Sequence, residues 1–238
     1  MNRDNKRKFA SLFNRISDIL RNERLLMLPG CLYRAILYRL RNFFFAQLFG
    51  IKKAHFGFHA RLIGTKNITL GNNFSAGHLL WLEAVVEHNT IYYNPQITIG
   101  ENVSLSDCVH IAAINKITIG NGVLVGSKVL ITDHNHGLYT GEKADNPMTP
   151  PNKRLLNDMG QVVVEDNVFL GDGVIVMGGV YIGRGSIIAA GTLLKKGTKV
   201  PAACIVAGNP AKIIKQFDPS IGIWSHKNLN LFDDMEQK

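Results

Sequence analysis

From residue 164 onward one aliphatic side chain recurs every six residues, as Val164, Leu170, Val176, Ile182, Ile188, Leu194, Val200 and Val206. The same interval appears earlier as Ile99, Leu105 and Ile111 and, after two extra residues, as Ile119, Val125 and Ile131. A period of six fits neither the roughly 3.6 residues of a helical turn nor the two-residue alternation of a strand that runs straight on. It describes a chain that turns a corner every six residues. Within each unit the next position is often small or turn-forming (Gly100, Gly120, Gly126, Gly171, Gly183, Ala189), and the fifth is small or β-branched (Val103, Val123, Val168, Val174, Thr192).

Hexapeptide repetition of this kind predicts a parallel β-helix, in which stacking successive turns buries the aliphatic columns and pairs the backbone groups. At ~4.8 Å between stacked strands, the eight units from Val164 make nearly three coils, a prism about 13 Å tall, whose ends need covering. After Asn209 and Pro210 the repeat stops, and AKIIKQF is expected to form a short helix at one end. Residues 56–96 repeat less clearly: ITLGNNF reads as one hexad, and WLEAVVEH as irregular wall or loop.

Before the repeats, residues 8–27 and 31–49 have helix-like spacing, with Leu32, Ala35, Ile36 and Leu40 apolar and Arg34, Arg39 and Arg41 among them; Pro29 and Gly30 separate the two pieces. The chain is thus expected to divide into a basic amphipathic helical leader (1–55), a β-helix domain (56–211) with a loop excursion at 132–161, and a C-terminal helix and tail (212–238). The fold class is mainly β.

Charge sharpens that division. Of 27 Lys and Arg against 18 Asp and Glu, residues 1–55 hold 12 against 3, leaving 15 against 15 for the rest. The leader therefore suits an anionic surface, either lipid headgroups or nucleic acid. A nucleic-acid motif is absent and the body is neutral, which disfavours the second. Arginines interrupt the second helical piece too often for a membrane span, each costing ~2.5 to 3.5 kcal/mol at the bilayer centre. Two readings stay open: a helix lying on the membrane surface, or helices that cap the first coil. The three cysteines have no disulfide or zinc spacing. No signal-peptide pattern follows the basic N-terminus, so the expected location is cytoplasmic, with a peripheral position at the inner face of the membrane as the variant.

Between Ile131 and Val164 the period is lost in a stretch rich in Gly, Pro and Asn. Loops this long inside a compact domain tend to be functional. At its root stands ITDHNHG, with Asp133, His134 and His136. A histidine suits the removal of a proton from a hydroxyl near neutral pH, and Asp133 is placed to accept from an imidazole N–H.

The stretches ITIGENVSLSDCVHIAAINKITIGNGVLVGSKVLITDHNHG, VVVEDNVFLGDGVIVMGGVYIGRGSIIAAGTLLKKG and AGNPAKII resemble the hexapeptide-repeat acyltransferases, specifically the O-acetyltransferases related to maltose and galactoside acetyltransferases and to those that acetylate bacterial surface polysaccharides. The resemblance spans residues 97–216. It implies a left-handed parallel β-helix, a homotrimer with active sites between subunits, and direct attack of an acceptor hydroxyl on acetyl-CoA, with no metal. By the family's spacing the base falls on His136, with His134 second. Cofactor contacts carry over to Asp172 in LGDG, Ala190 in IAAG, Lys195 and Lys196 after it, and Lys212 and Lys215 after GNPA. Lysines there suit a polyanion.

Two departures qualify the match. The maltose-type N-F-N element is replaced by Ser106, Asp107 and Cys108, and Phe169 stands where a Trp is usual. The first points away from a free disaccharide and toward a hydroxyl on a glycan precursor or lipid-linked intermediate. A streptogramin-type antibiotic acetyltransferase and a non-catalytic β-helix binding protein remain as alternatives. A β-helical carbonic anhydrase fits poorly, since His134 and His136, one residue apart, do not supply ligands from adjacent coils.

Overall fold

The computed structural model describes residues 28–230. Two compact units divide after Phe45. In the first, a single helix, Leu28–Leu48, begins one residue before Pro29 and so includes Gly30 in its opening turn. Pro29 and Gly30 lie in that opening turn, where proline is well accommodated because its missing N–H would find no partner anyway. The helical stretch expected at 8–27 lies outside the described residues. Among the described residues no helix is long and apolar enough to cross a membrane.

The second unit is a parallel β-helix of six complete coils. Its first sheet runs through Ala54–Phe56, Phe74–Ala76, Ser104–Leu105, Leu124–Val125, Phe169–Leu170, Ile187–Ile188 and Cys204–Ala207. The second takes Arg61–Ile63, Trp81–Ala84, His110–Ala113, Leu130–Thr132, Ile175–Val176 and Leu193–Leu194. The third takes Ile68–Leu70, Gln96–Ile99, Lys116–Ile119, Val162–Val164, Tyr181–Ile182 and Lys199–Val200. All of these pairings are parallel. Each strand is too short to bury anything alone; stacking makes the core.

Register turns the six-residue period into three internal columns. On the first sheet Ala76, Leu105, Val125, Leu170, Ile188 and Val206 are stacked; on the second, Leu82, Ile111, Ile131, Val176 and Leu194; on the third, Leu70, Ile99, Ile119, Val164, Ile182 and Val200. Every one of these side chains is buried. The recurrent aliphatic residues of the sequence are the inward positions of consecutive faces.

Residues 54–99, where the repeat is unclear in the sequence, complete two turns of the prism. Corners are closed from the neighbouring coil: Asp107 accepts from the His78 amide at 2.6 Å, Asp166 from Asn121 at 2.7 Å, and Asp172 from Ser127 at 2.7 Å. Asn73 and Asn102 both have φ near +60°, a conformation asparagine tolerates, and Nδ2 of the first donates to Oδ1 of the second at 3.0 Å.

The expected C-terminal helix is a strand instead. Lys212–Asp218 runs antiparallel to Cys204–Ala207, and Ile223–Asn230 runs back along it. The exposed edge of the first sheet offers a row of unpaired backbone groups, and a strand satisfies them where a helix could not. Ile213 drops into the apolar end of the column, opposite Val206.

Insertions fall at one corner. From the second sheet to the third the chain needs six residues in the last two full coils (Val176 to Ile182, Leu194 to Val200), but eight from Leu62 to Leu70, 17 from Leu82 to Ile99, eight from Ile111 to Ile119 and 33 from Ile131 to Val164. The longest carries the short strands His134–His136 and Leu156–Asp158, paired antiparallel. The second longest carries Glu87–His88 paired with Ile91–Tyr92.

Candidate active site

The stacked insertions bring residues from different coils together. Asp133, the first residue past the second-sheet strand, is fully buried and would be an isolated charge were it not satisfied on three sides. Its Oδ1 accepts from the Ile114 amide at 2.9 Å and its Oδ2 from the Asn115 amide at 2.8 Å, both from the coil above. The third partner is His134, whose Nδ1 lies 2.9 Å from Oδ1. With Nδ1–H donated to the carboxylate, Nε2 carries the lone pair, which is the tautomer a general base requires. Thr132 Oγ1 also lies 3.3 Å from His134 Nδ1, so the ring sits over the end of the β wall.

His136 points elsewhere for its support. It donates to the carbonyl of Pro151 and meets His88 edge-to-face, ring centroids 5.3 Å apart. Burial, then the neighbouring His88 and His134, push its pKa below the ordinary imidazole value, against that hydrogen bond. His88 Nε2 lies 3.1 Å from the Arg154 carbonyl.

Arg154 ties the excursion together. Its guanidinium is buried, has no carboxylate partner among the described residues, and donates to the carbonyls of Thr149 and Pro147, both at 2.9 Å, and to the Tyr139 hydroxyl at 3.3 Å. Tyr139 in turn donates to the carbonyl of His136.

His134 and His136 open onto a recess of about 280 Å³, which Trp81, Glu83, Glu87 and Ala112 also line. Sequence reasoning missed the second-sheet residues, because their nearness to His134 depends on register across two coils. His110 stacks on Trp81 with centroids 4.1 Å apart, and its pKa is lowered chiefly by burial, against Glu83 and with His134 and Arg61. A larger recess of about 550 Å³ lies along the third face, walled by Lys66, Asn94, Gln96, Lys116 and Gln161 among others. Among the described residues neither an imidazole nor a carboxylate lines it. Among the described residues no group of three or more His, Cys, Asp and Glu side chains suits a metal ion.

Residues 161–196 match the family model described as "Bacterial transferase hexapeptide (six repeats)". WbbJ of Escherichia coli (strain K12), whose name is that of a lipopolysaccharide biosynthesis O-acetyl transferase, is 36% identical over 159 residues, covering 66% of this chain and 76% of that protein. The chain belongs to the hexapeptide-repeat acyltransferase family. A solved structure of AntD, an N-acyltransferase from Bacillus cereus in complex with dTDP and 3-hydroxybutyryl-CoA, is 17% identical and superposes with a TM-score of 0.52, covering 72% of this chain and 84% of that one. At that identity the likeness is one of fold, the left-handed parallel β-helix.

In this hexapeptide-repeat acyltransferase the six cofactor positions named by resemblance lie on three parts of the prism. Asp172 and Ala190 occupy the same corner on successive coils, where a Cβ on Gly171 would meet the Ala190 amide nitrogen at 2.6 Å. Asp172 spends its carboxylate on the Ser127 amide. Lys195 and Lys196 are exposed at the corner after Leu194, and Lys212 and Lys215 stand half-buried on the strand Lys212–Asp218. None of the six lines the recess that holds His134.

Proposed function

We propose that the protein transfers an acetyl group from acetyl-CoA to a sugar hydroxyl of a surface polysaccharide or its lipid-linked precursor, with His134 as general base and Asp133 as its orienting carboxylate. The observation that carries this is the Asp133–His134 pair at the wall of the recess. Nε2 of His134 takes the acceptor's hydroxyl proton as that oxygen bonds to the thioester carbonyl carbon. Collapse of the tetrahedral adduct then breaks the C–S bond, and the imidazolium returns its proton to the CoA thiolate. The buried carboxylate favours the imidazolium that forms between the two steps. His136 is the second candidate for the base.

The name of WbbJ supports an O-acetyl transfer and a glycan acceptor. A homotrimer with shared sites accounts for two observations. The cofactor positions do not converge within one chain, and the outward columns of the middle and last coils are apolar, with Leu124 stacked on Phe169 and Leu130 on Ile175; Leu124, Phe169, Ile175 and Tyr181 are all exposed. In such an assembly Lys195, Lys196, Lys212 and Lys215 of one protomer serve the CoA beside another's His134.

A cytoplasmic position at the inner membrane face suits a lipid-linked acceptor. It is supported by the exposed Ile36, Leu40, Phe43 and Phe44 of the helix Leu28–Leu48 together with Arg39, a composition that favours anionic lipid. Absence of cosedimentation with anionic liposomes would remove that part.

The test of the whole is CoA release from acetyl-CoA in the presence of a panel of sugars, glycan fragments and a streptogramin. Sugar-dependent release that falls ~10²-fold or more in His134→Ala, with the β-helix intact by circular dichroism, is expected. Release that depends on the streptogramin alone would replace the reading, and a His134→Ala variant as active as the parent would move the base to His136.

A further inference from the structure

The recess contains a carboxylate that the proposed chemistry does not use. Glu83 projects outward from the strand Trp81–Ala84 and is half-buried. Its Oε2 accepts from Trp81 Nε1 at 2.7 Å, and Trp81 is itself clamped between the Arg61 guanidinium, 4.4 Å from the ring centroid, and the stacked His110. Both faces of the indole are therefore covered, so it offers no platform for a sugar ring. What it does is fix the carboxylate two residues further along its own strand.

Register places that carboxylate relative to the base. Glu83, Ala112 and Thr132 are Cα partners on three successive strands of the second sheet. Two inter-strand steps separate Glu83 from Thr132, ~9 to 10 Å along the stack, and the His134 ring lies against Thr132. The residue between them is an alanine, whose methyl leaves the floor of the recess low. A carboxylate and an imidazole thus line one recess from positions ~9 to 10 Å apart along the stack, a span on the scale of a single pyranose ring with its hydroxyls. Among the described residues neither lysine nor arginine lines this recess, while Glu83 and Glu87 both do. Such a lining repels the phosphates of CoA and suits a neutral polyol.

We infer that Glu83 determines acceptor specificity, receiving a hydrogen bond from a second hydroxyl of the same sugar ring whose reacting hydroxyl faces His134. This rests on the O-acetyltransferase reading and adds to it the residue that selects the acceptor. It requires a ring with two hydroxyls at the right separation, and it disfavours a ring that carries a carboxylate at the second position.

The test uses the full-length protein, acetyl-CoA, and methyl pyranosides of glucose, galactose and mannose with their monodeoxy derivatives. In Glu83→Ala the KM for the accepted glycoside should rise about 10- to 100-fold, the range of a hydrogen bond to a charged group, with the KM for acetyl-CoA unmoved. Glu83→Gln, whose side-chain oxygen still accepts, should recover most of that loss. One monodeoxy glycoside should lose a similar factor with the parent protein and nothing further with Glu83→Ala. If the parent acetylates a glycoside and Glu83→Ala matches it, or raises both KM values alike, the inference is overturned while the enzymatic reading stands. If the parent acetylates none of the glycosides, the reading fails and the inference with it.

Discussion

Asp133 Oδ1 lies 2.9 Å from Nδ1 of His134, and the same carboxylate is anchored by two backbone amides of the coil above. The imidazole is oriented by a carboxylate that the neighbouring coil of the prism holds in place. Replacing Asp133 by Asn keeps the shape and removes the charge. Turnover should fall ~10²-fold or more, because the wrong tautomer becomes available and the imidazolium loses its counter-charge. Steady-state kinetics with the KM for acetyl-CoA unchanged would bear this out; parental turnover would exclude the pair from the chemistry.

Arg154 holds Thr149, Pro147 and Tyr139 with one guanidinium. Arg154→Met should loosen the excursion without unfolding the prism, because the three partners are loop groups. Limited proteolysis should show faster cleavage within residues 137–155, while the main thermal transition stays in place. A large fall in that transition would make Arg154 part of the core's stability instead.

Leu170 is fully buried between Val125 and Ile188 in the first-sheet column. Leu170→Ala should cost ~2 to 5 kcal/mol, a transfer loss plus a cavity that a stacked wall cannot collapse around. Equilibrium denaturation reads this directly. A cost under ~1 kcal/mol would mean that the columns tolerate vacancies.

Burial pushes the pKa of His110 below the ordinary imidazole value of about 6.5, with Arg61 and His134 adding to the effect and Glu83 opposing it. His136 is depressed as well, by burial and by His88 and His134. A depressed imidazole means that the unfolded chain binds more protons than the folded one at mildly acidic pH. Stability should therefore be fully present above about pH 6.5 and decline as pH falls from there toward the depressed values. His110→Phe should flatten the decline in a series of thermal melts between those limits; an unchanged slope would assign it to other groups.

Lys195 and Lys196 are exposed at a corner beyond the His134 recess. If a neighbouring protomer's CoA reaches them, the double change to alanine should raise the KM for acetyl-CoA several-fold, and added salt should weaken parental binding more than variant binding. Equal salt dependence in the two proteins would remove these lysines from the cofactor site.

The sequence shows the repeats where the inward residue is large. Ile99 to Val206 can be read from spacing alone because Val, Leu and Ile mark each face. The earlier coils escape that reading for two local reasons. Ala76 occupies an inward position with a side chain too small to register as a column, and the insertion between Leu82 and Ile99 breaks the count. Lys212–Asp218 misled for another reason. Ile213, Ile214 and Phe217 have helical spacing, but the open edge of the first sheet decides the conformation.

At the site, Asp133, His134 and His136 are legible because they share one short segment. Glu83, His88 and His110 are not, since only the pairing of Trp81–Ala84 with His110–Ala113 and of the latter with Leu130–Thr132 brings them near. Which of the two histidines meets the carboxylate is not legible either. The resemblance to the family implies His136, whereas the carboxylate contact belongs to His134.

All departures from six residues in the complete coils fall on the edge between the second and third sheets, with the last two full coils untouched. Material added there lengthens a protrusion without shifting any strand out of step with its neighbours, so that seam can take up new segments while the prism keeps its register. The other two edges keep the six-residue count in every complete coil.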